Sequence, residues 1–289
     1  MSAKYSLKDD GSFVITDYQR VHPFSNFLPG ISGVWGIPLW VFYVNRGQGV
    51  ISFGLKDKDH SIAEFFPANK AYQLASSLGF RTFIKSGKAH YEPFSTDGQS
   101  CRRQDMIITS YGFLIKEEHP QIGLRVSVRY FTLPNLPVAA LARVVSFENI
   151  SGKILNLEIL DGLSKIIPFG SINPLLKDMS RTLEAWMHSN VKSNLATFKL
   201  IVEPGDISHT RYIEGANFNY AFYEENNRKV FPSLIVDPAV VFGQDTAYSN
   251  PETFIKGKLK SISGQMTCGK TPSAFSYFKN YKTKSNLAM

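Results

Sequence analysis

The stretch Gly36-Ile-Pro-Leu-Trp-Val-Phe-Tyr-Val-Asn-Arg-Gly-Gln-Gly-Val-Ile-Ser-Phe-Gly54 decides the fold. β-Branched and aromatic residues fill Leu39 to Val44 and Val50 to Leu55, and such side chains fit a pleated sheet. Between them Asn45-Arg46-Gly47-Gln48-Gly49 supplies two glycines, which allow the positive φ angles of a tight reversal. The segment predicts a hairpin and, with it, antiparallel β architecture.

Outward from the hairpin, period-two alternation dominates. Leu124, Val126, Val128 and Tyr130 fall on one side of a strand, Arg125, Ser127 and Arg129 on the other. Leu155, Leu157 and Ile159 alternate with Asn156 and Glu158, and Phe218, Tyr220 and Phe222 with Asn219, Ala221 and Tyr223. Such alternation marks antiparallel sheets with one wet face. Further strands are expected at Ser12 to Asp17, Met106 to Lys116, Val138 to Asn149, Leu195 to Glu203, Leu234 to Val241 and Phe254 to Ser261. Turn residues separate them, as at Pro134-Asn135, Glu203-Pro-Gly-Asp206 and Ser249-Asn-Pro251. One helix stands out: Asn173 as cap, Pro174 in the first turn, then Leu175, Met179, Leu183 and Trp186/Met187 at helical spacing. Many strands with one or two short covering helices predict an all-β fold, a single domain over residues 1–289 built as a large two-sheet sandwich.

Composition narrows the function classes. With 43% hydrophobic and 13% aromatic residues the chain can build a real core. The net charge is +8, but residues 253–289 hold seven lysines and no acid, which leaves +1 for the rest. A nucleic-acid footprint would run as a basic stripe across the fold, so no nucleic-acid partner is expected. No apolar run approaches a membrane span, the polar opening shows no secretory leader, and Cys101 and Cys268 have no ligand spacing. A reduced, cytoplasmic protein without membrane contact is the expectation.

Several motifs imitate chemistry. Gly264-Gln-Met-Thr-Cys-Gly-Lys-Thr271 matches the phosphate-loop pattern, but Pro272 follows where a helix is required, and a turn between two strands is expected instead. Gly47-Gln-Gly49 with Gly54 precedes a strand and not the helix N-terminus that a dinucleotide needs. The histidines His22, His60, His90, His119, His188 and His209 show no metal spacing, and no metal or cofactor is expected. Asp59-His60 with Glu64 reads as a solvated turn before a short helix. No serine sits in a nucleophile elbow.

Taken together, Pro23-Phe-Ser-Asn-Phe-Leu-Pro-Gly30, the hairpin block, Gly79-Phe-Arg-Thr-Phe-Ile84, Tyr91-Glu-Pro-Phe94, residues 136–150, Leu160-Asp-Gly-Leu163, Leu183-Glu-Ala-Trp186 and Gly269-Lys-Thr-Pro-Ser-Ala-Phe275 resemble, in one order, the N-terminal β-sandwich of the inverting glycoside phosphorylases. These are the cellobiose and β-glucan phosphorylases of glycoside hydrolase family 94 and relatives, the β-1,3-glucan branch being the nearest. The resemblance implies a supersandwich of the galactose-mutarotase type. In the family a β-glucoside or β-glucan reacts with inorganic phosphate to give glucose 1-phosphate, on an acid carried by a following (α/α)6 barrel. This chain shows no such helical array, so no catalytic residue is assigned to it, and by itself it is expected to be inactive. Asp161 and Glu184, within matched motifs, are expected to be structural.

The resemblance also implies dimer contacts and a share in the substrate entrance, through a homodimer or a separately encoded catalytic chain. Arg46 and Gln48 are the candidates for touching an oligosaccharide or a partner, as polar residues on a rigid turn. Trp35, Trp40 and Tyr43 could stack on sugar, although strand aromatics are mostly core. A free-standing carbohydrate-binding module and, less favoured, a mutarotase-like enzyme are the alternatives. Downstream of Ser276 the sequence departs from the family, which leaves a missing last strand and an exposed apolar edge open.

Overall fold

The computed structural model describes residues 4–28, 30–95, 102–205, 208–259 and 264–283. Ile37–Val44 and Val50–Leu55 pair antiparallel, from Leu39 opposite Leu55 to Tyr43 opposite Val50, with a register shift after Phe42. Ser25–Leu28 and Ser61–Ala63 extend this sheet on its two sides. The turn does not project: from Val41 to Val50 every residue except Arg46 is buried.

About 47% of the described residues are strand and 13% helix, an antiparallel all-β fold. The strands divide among four sheets of four to six strands and a two-stranded ribbon, where two sheets are expected from sequence. The result is a four-blade, propeller-like arrangement. A six-stranded sheet runs Tyr5–Leu7, Phe13–Thr16, Arg103–Ile108, Gly112–His119, Leu124–Thr132, Leu141–Asn149. A five-stranded sheet orders Ser233–Ile235, Ala274–Thr283, Leu155–Leu163, Phe80–Ser86, Ala89–Tyr91. A four-stranded sheet orders Asn217–Tyr220, Leu195–Leu200, Met187–Lys192, Met266–Cys268. One buried cluster draws on all four sheets, for example Ile15, Val41, Leu157 and Phe198, so their inner faces share a core.

Alternation reads correctly where one face is dry: Leu124, Val126, Val128 and Tyr130 are wholly buried, and Leu157 and Ile159 nearly so. Four expectations fail for local reasons. Met106 to Lys116 is not one strand, because the chain reverses between Ile108 and Gly112 and Thr109 N–H donates to the Gly112 carbonyl (2.9 Å). Leu234 to Val241 stops as a strand at Ile235. Asp237 then accepts from Ala239 N–H (3.0 Å) and, with a proline in the first turn, starts the helix Pro238–Phe242. Phe254 begins no strand, since it lies in the helix Glu252–Ile255, and Ser261 lies outside the described residues. The helix from Asn173 breaks at Met179 (φ −118°) into Asn173–Asp178 and Ser180–Ala185, and the cap position falls on Ile172 rather than Asn173.

Part of the predicted apolar face packs: Leu183 is buried with Met187 and Leu200 of the adjoining strands and Leu175 and Trp186 lie against them, while Met179, at the helix break, is not in this cluster. The helix beyond Asp59–Glu64, Ala68–Leu78, is the longest among the described residues and seats Ala71 and Ala75 on Phe42, Val44 and Ile51 of the hairpin. Its small residues permit that close approach. Ala274–Thr283 forms a ten-residue strand hydrogen-bonded to strands on both sides. Lys284 and Ser285, like Cys101, Asp206 and Pro29, lie outside the described residues.

Candidate functional site

A cleft of about 1070 Å³ opens where three sheets meet. Period-two geometry sends Arg143, Val145 and Phe147 into it from the edge strand Leu141–Asn149, and Ile159 and Asp161 from Leu155–Leu163. Ser276, Phe278 and Tyr281 come from Ala274–Thr283. Leu195 and Thr197 stand opposite Tyr220 and Phe218 in register, and all four line the third wall. Phe218, Tyr220 and Phe222 all front this open cleft and stay partly exposed, but the strand ends at Tyr220, and Ala221 and Tyr223 line the cleft as well, so the alternation holds only over Asn217–Tyr220.

Arg143 and Asp161 bring charge to the mainly apolar lining. The Arg143 guanidinium donates to Asp161 Oδ2 and Gln48 Oε1, to Thr82 Oγ1 at 3.0 Å, and through Nε to the Tyr130 hydroxyl at 3.0 Å. Thr82 in turn donates to Asp161 Oδ1 (2.6 Å), and Gln48 Nε2 donates to Thr82 (3.1 Å). The Arg143 carbon also sits 5.1 Å from the Phe80 ring centroid, within cation–π range. Burial alone would pull the guanidinium's pKa down. The Asp161 carboxylate and the Tyr130 hydroxyl outweigh it and hold the group above its ordinary value. Burial pushes the Tyr130 hydroxyl up to about 12. The floor is therefore a paired, hydrogen-bonded charge couple.

The predicted contact residues separate. Gln48 is buried and belongs to this floor network. Arg46 is half-buried and donates to the carbonyls of Asn45 (2.7 Å) and Val21 (3.2 Å); burial depresses its pKa. Tyr43 is core, packed 4.6 Å from the Phe113 centroid, whereas Trp40 on the strand is partly exposed, contrary to the core expectation, and Trp35 lies in the turn before that strand and is 85% exposed. A smaller polar cavity of about 220 Å³ lies beside the hairpin turn, lined by Gly47, Gln48, Arg81, Glu92 and Phe94 among others. There Arg81 makes a two-pronged pair with Glu92 (2.7 and 2.8 Å), so its charge is already matched.

Asp161 and Glu184 both have structural partners. Glu184 Oε1 accepts from the backbone N–H (2.8 Å) and the hydroxyl (3.0 Å) of Thr271. That is the threonine of the phosphate-loop pattern, and the rest of the pattern is equally engaged. Met266–Cys268 forms a strand where a turn is expected, Lys270 pairs with Asp237, and the next element is the strand Ala274–Thr283 rather than a helix. His60 meets Asp57 (2.8 Å) on an exposed bend, while Glu64 pairs with Lys165 (3.0 Å), so the three do not converge.

Sequence reading missed Arg143, Thr82 and Tyr130 as a unit. The available signal was a charge at an inward parity, since Arg143 shares its strand face with Leu141, Val145 and Phe147. Among the described residues no group of three or more His, Cys, Asp or Glu could hold a metal ion, and no helix is long and apolar enough to cross a membrane. No protein-family model matches the chain, and comparison with curated proteins finds no match.

Proposed function

We propose that this chain is the sandwich portion of an inverting β-glucoside or β-glucan phosphorylase, working by binding and assembly, with the catalytic acid on a separate part. The observation that carries the reading is the state of Asp161. It is the carboxylate at the floor of the 1070 Å³ cleft, and both its oxygens already accept hydrogen bonds from Thr82 and Arg143. A general acid for glycosidic cleavage needs a proton and free access to the leaving oxygen. A mainly apolar cleft with a few placed polar groups is the usual form of a ligand-binding pocket. The supersandwich of the galactose-mutarotase type, the dimer contacts and the oligosaccharide entrance belong to this reading, as does a contact role for Arg46.

Incubation with laminari- or cello-oligosaccharides and inorganic phosphate should yield no glucose 1-phosphate. Its release by the purified chain would overturn the assignment of the acid to another part. The carbohydrate-binding-module reading keeps its own support in the exposed rings of Trp35 and Trp40. The mutarotase-like alternative requires a histidine and a carboxylate paired in a pocket, whereas His60 and Asp57 meet on an exposed bend and no histidine lines either cavity described above.

A further inference from the structure

We infer that the large cleft, and not the hairpin face, holds an uncharged oligosaccharide on its aromatic wall. This rests on the carbohydrate reading above but places the ligand on residues that reading does not assign.

Three observations point to that class of ligand. First, the lining offers an anion no unpaired cation: Arg143 pairs with Asp161, and the other charged lining residue, Glu224, is itself an acid. A phosphate, nucleotide or acidic peptide entering here would lose hydration without gaining an unpaired counter-charge. Second, Phe218 and Tyr220 sit two residues apart on one strand face, 39% and 46% exposed, with Phe222 following at 5.8 Å from the Tyr220 centroid. Tyr220 and Phe222 are in ring contact, Phe218 stands on the same strand face as Tyr220, and partly exposed aromatics give large contact area at low entropic cost. Lys229 Nζ lies 4.5 Å from the Phe222 centroid and covers part of that ring, so Phe218 and Tyr220 are the main platform. Third, polar residues interrupt the apolar walls: Thr197, whose hydroxyl donates to the Asn190 carbonyl (3.4 Å), and Ser276 line the same cleft as Arg143 and Asp161. An acyl chain would find no use for these polar side chains. A pyranose chain presents apolar C–H faces to the rings and hydroxyls to the polar groups at once. The cleft volume is at the upper end of ligand sites, which run to about 1,000 Å³, and leaves room for several sugar units.

Titration calorimetry of the full chain with laminarihexaose and with cellohexaose tests the site. Saturable binding is expected for at least one, weakened about tenfold by Tyr220→Ala and by Phe218→Ala and unchanged by Trp40→Ala. Both wall residues are exposed, and circular dichroism establishes that the variants fold. No binding of either sugar, or uptake of an apolar fluorescent probe that neither sugar displaces, overturns the inference. Binding lost with Trp40→Ala and kept with Tyr220→Ala also overturns it and moves the site to the hairpin. Assaying glucose 1-phosphate in the same samples reads the phosphorylase proposal separately: its release sinks that proposal while the titration still reports on the cleft.

Discussion

Replacing Asp161 by alanine leaves the Arg143 guanidinium without its counter-charge in a site where the arginine side chain is only 7% exposed. Removing one partner of a buried pair costs about 3–5 kcal/mol, because the remaining charge stays desolvated and unpaired. The Asp161 side chain is 20% exposed, so water from the cleft can enter the vacated volume. The Gln48, Thr82 and Tyr130 oxygens still accept from the guanidinium. Both features place Asp161→Ala at the lower end, about 3 kcal/mol. With a urea m-value of about 3 kcal/mol/M for a chain of this size, the unfolding midpoint should fall by about 1 M. Pairing Arg143→Met with Asp161→Leu removes both charges and should recover at least half of that loss, since apolar replacement of a buried pair is often neutral. A midpoint unchanged by Asp161→Ala, or a double variant no more stable than the single one, would refute the claim that the couple is held together by mutual neutralisation.

Two further outcomes are expected. The Glu117 carboxyl is fully buried and is pushed above its ordinary value of 4.5 chiefly by desolvation, against donors on Gln104 (2.6 Å), Arg102 (3.2 Å) and the Phe94 N–H (2.7 Å). The native state therefore holds this proton to higher pH than the unfolded state. Its contribution to stability falls as pH rises from 4.5 through the raised native value and is flat above it. Chemical denaturation across that range should show wild type losing stability relative to Glu117→Gln, and parallel curves would contradict the raised value. At the hairpin turn, Gly49 has φ +86° and an added Cβ would stand 2.8 Å from the Phe113 ring, whereas at Gly87 (φ +60°) nothing lies within 4 Å. Gly49→Ala should cost about 2–3 kcal/mol and Gly87→Ala only the backbone strain of about 1 kcal/mol, read as the difference in melting temperature. Equal losses would show that the turn is not packed against Phe113.

Much of the secondary structure was legible in the chain because it depends on short-range physics. The hairpin strands, the Leu124 to Tyr130 alternation and part of the apolar face from Leu175 to Met187 follow from side-chain parity and spacing. The errors fall where a few polar atoms decide. Asp237 capping its own downstream amide turned an apolar run into a helix, and the Thr109–Gly112 turn cut one long strand into two. The candidate site was legible only in fragments. Asp161 and Gln48 were each noticed as single residues, but their joining through Thr82 and Arg143 spans residues 48 to 161 and follows from how the sheets meet.

By itself, then, the sequence determined that this protein is antiparallel β, with a glycine-bearing hairpin from Gly36 to Gly54, and that its nucleotide-like glycine patterns lie beside strands. Local backbone and parity rules suffice for that. Only the tertiary structure decided that the hairpin tip is an internal anchor, with Gln48 reaching the floor of a cleft that no short-range pattern announces. It also decided that the Phe218 and Tyr220 face stays open. A side chain's parity tells which face of a strand it occupies, but whether that face is covered depends on the packing of distant sheets.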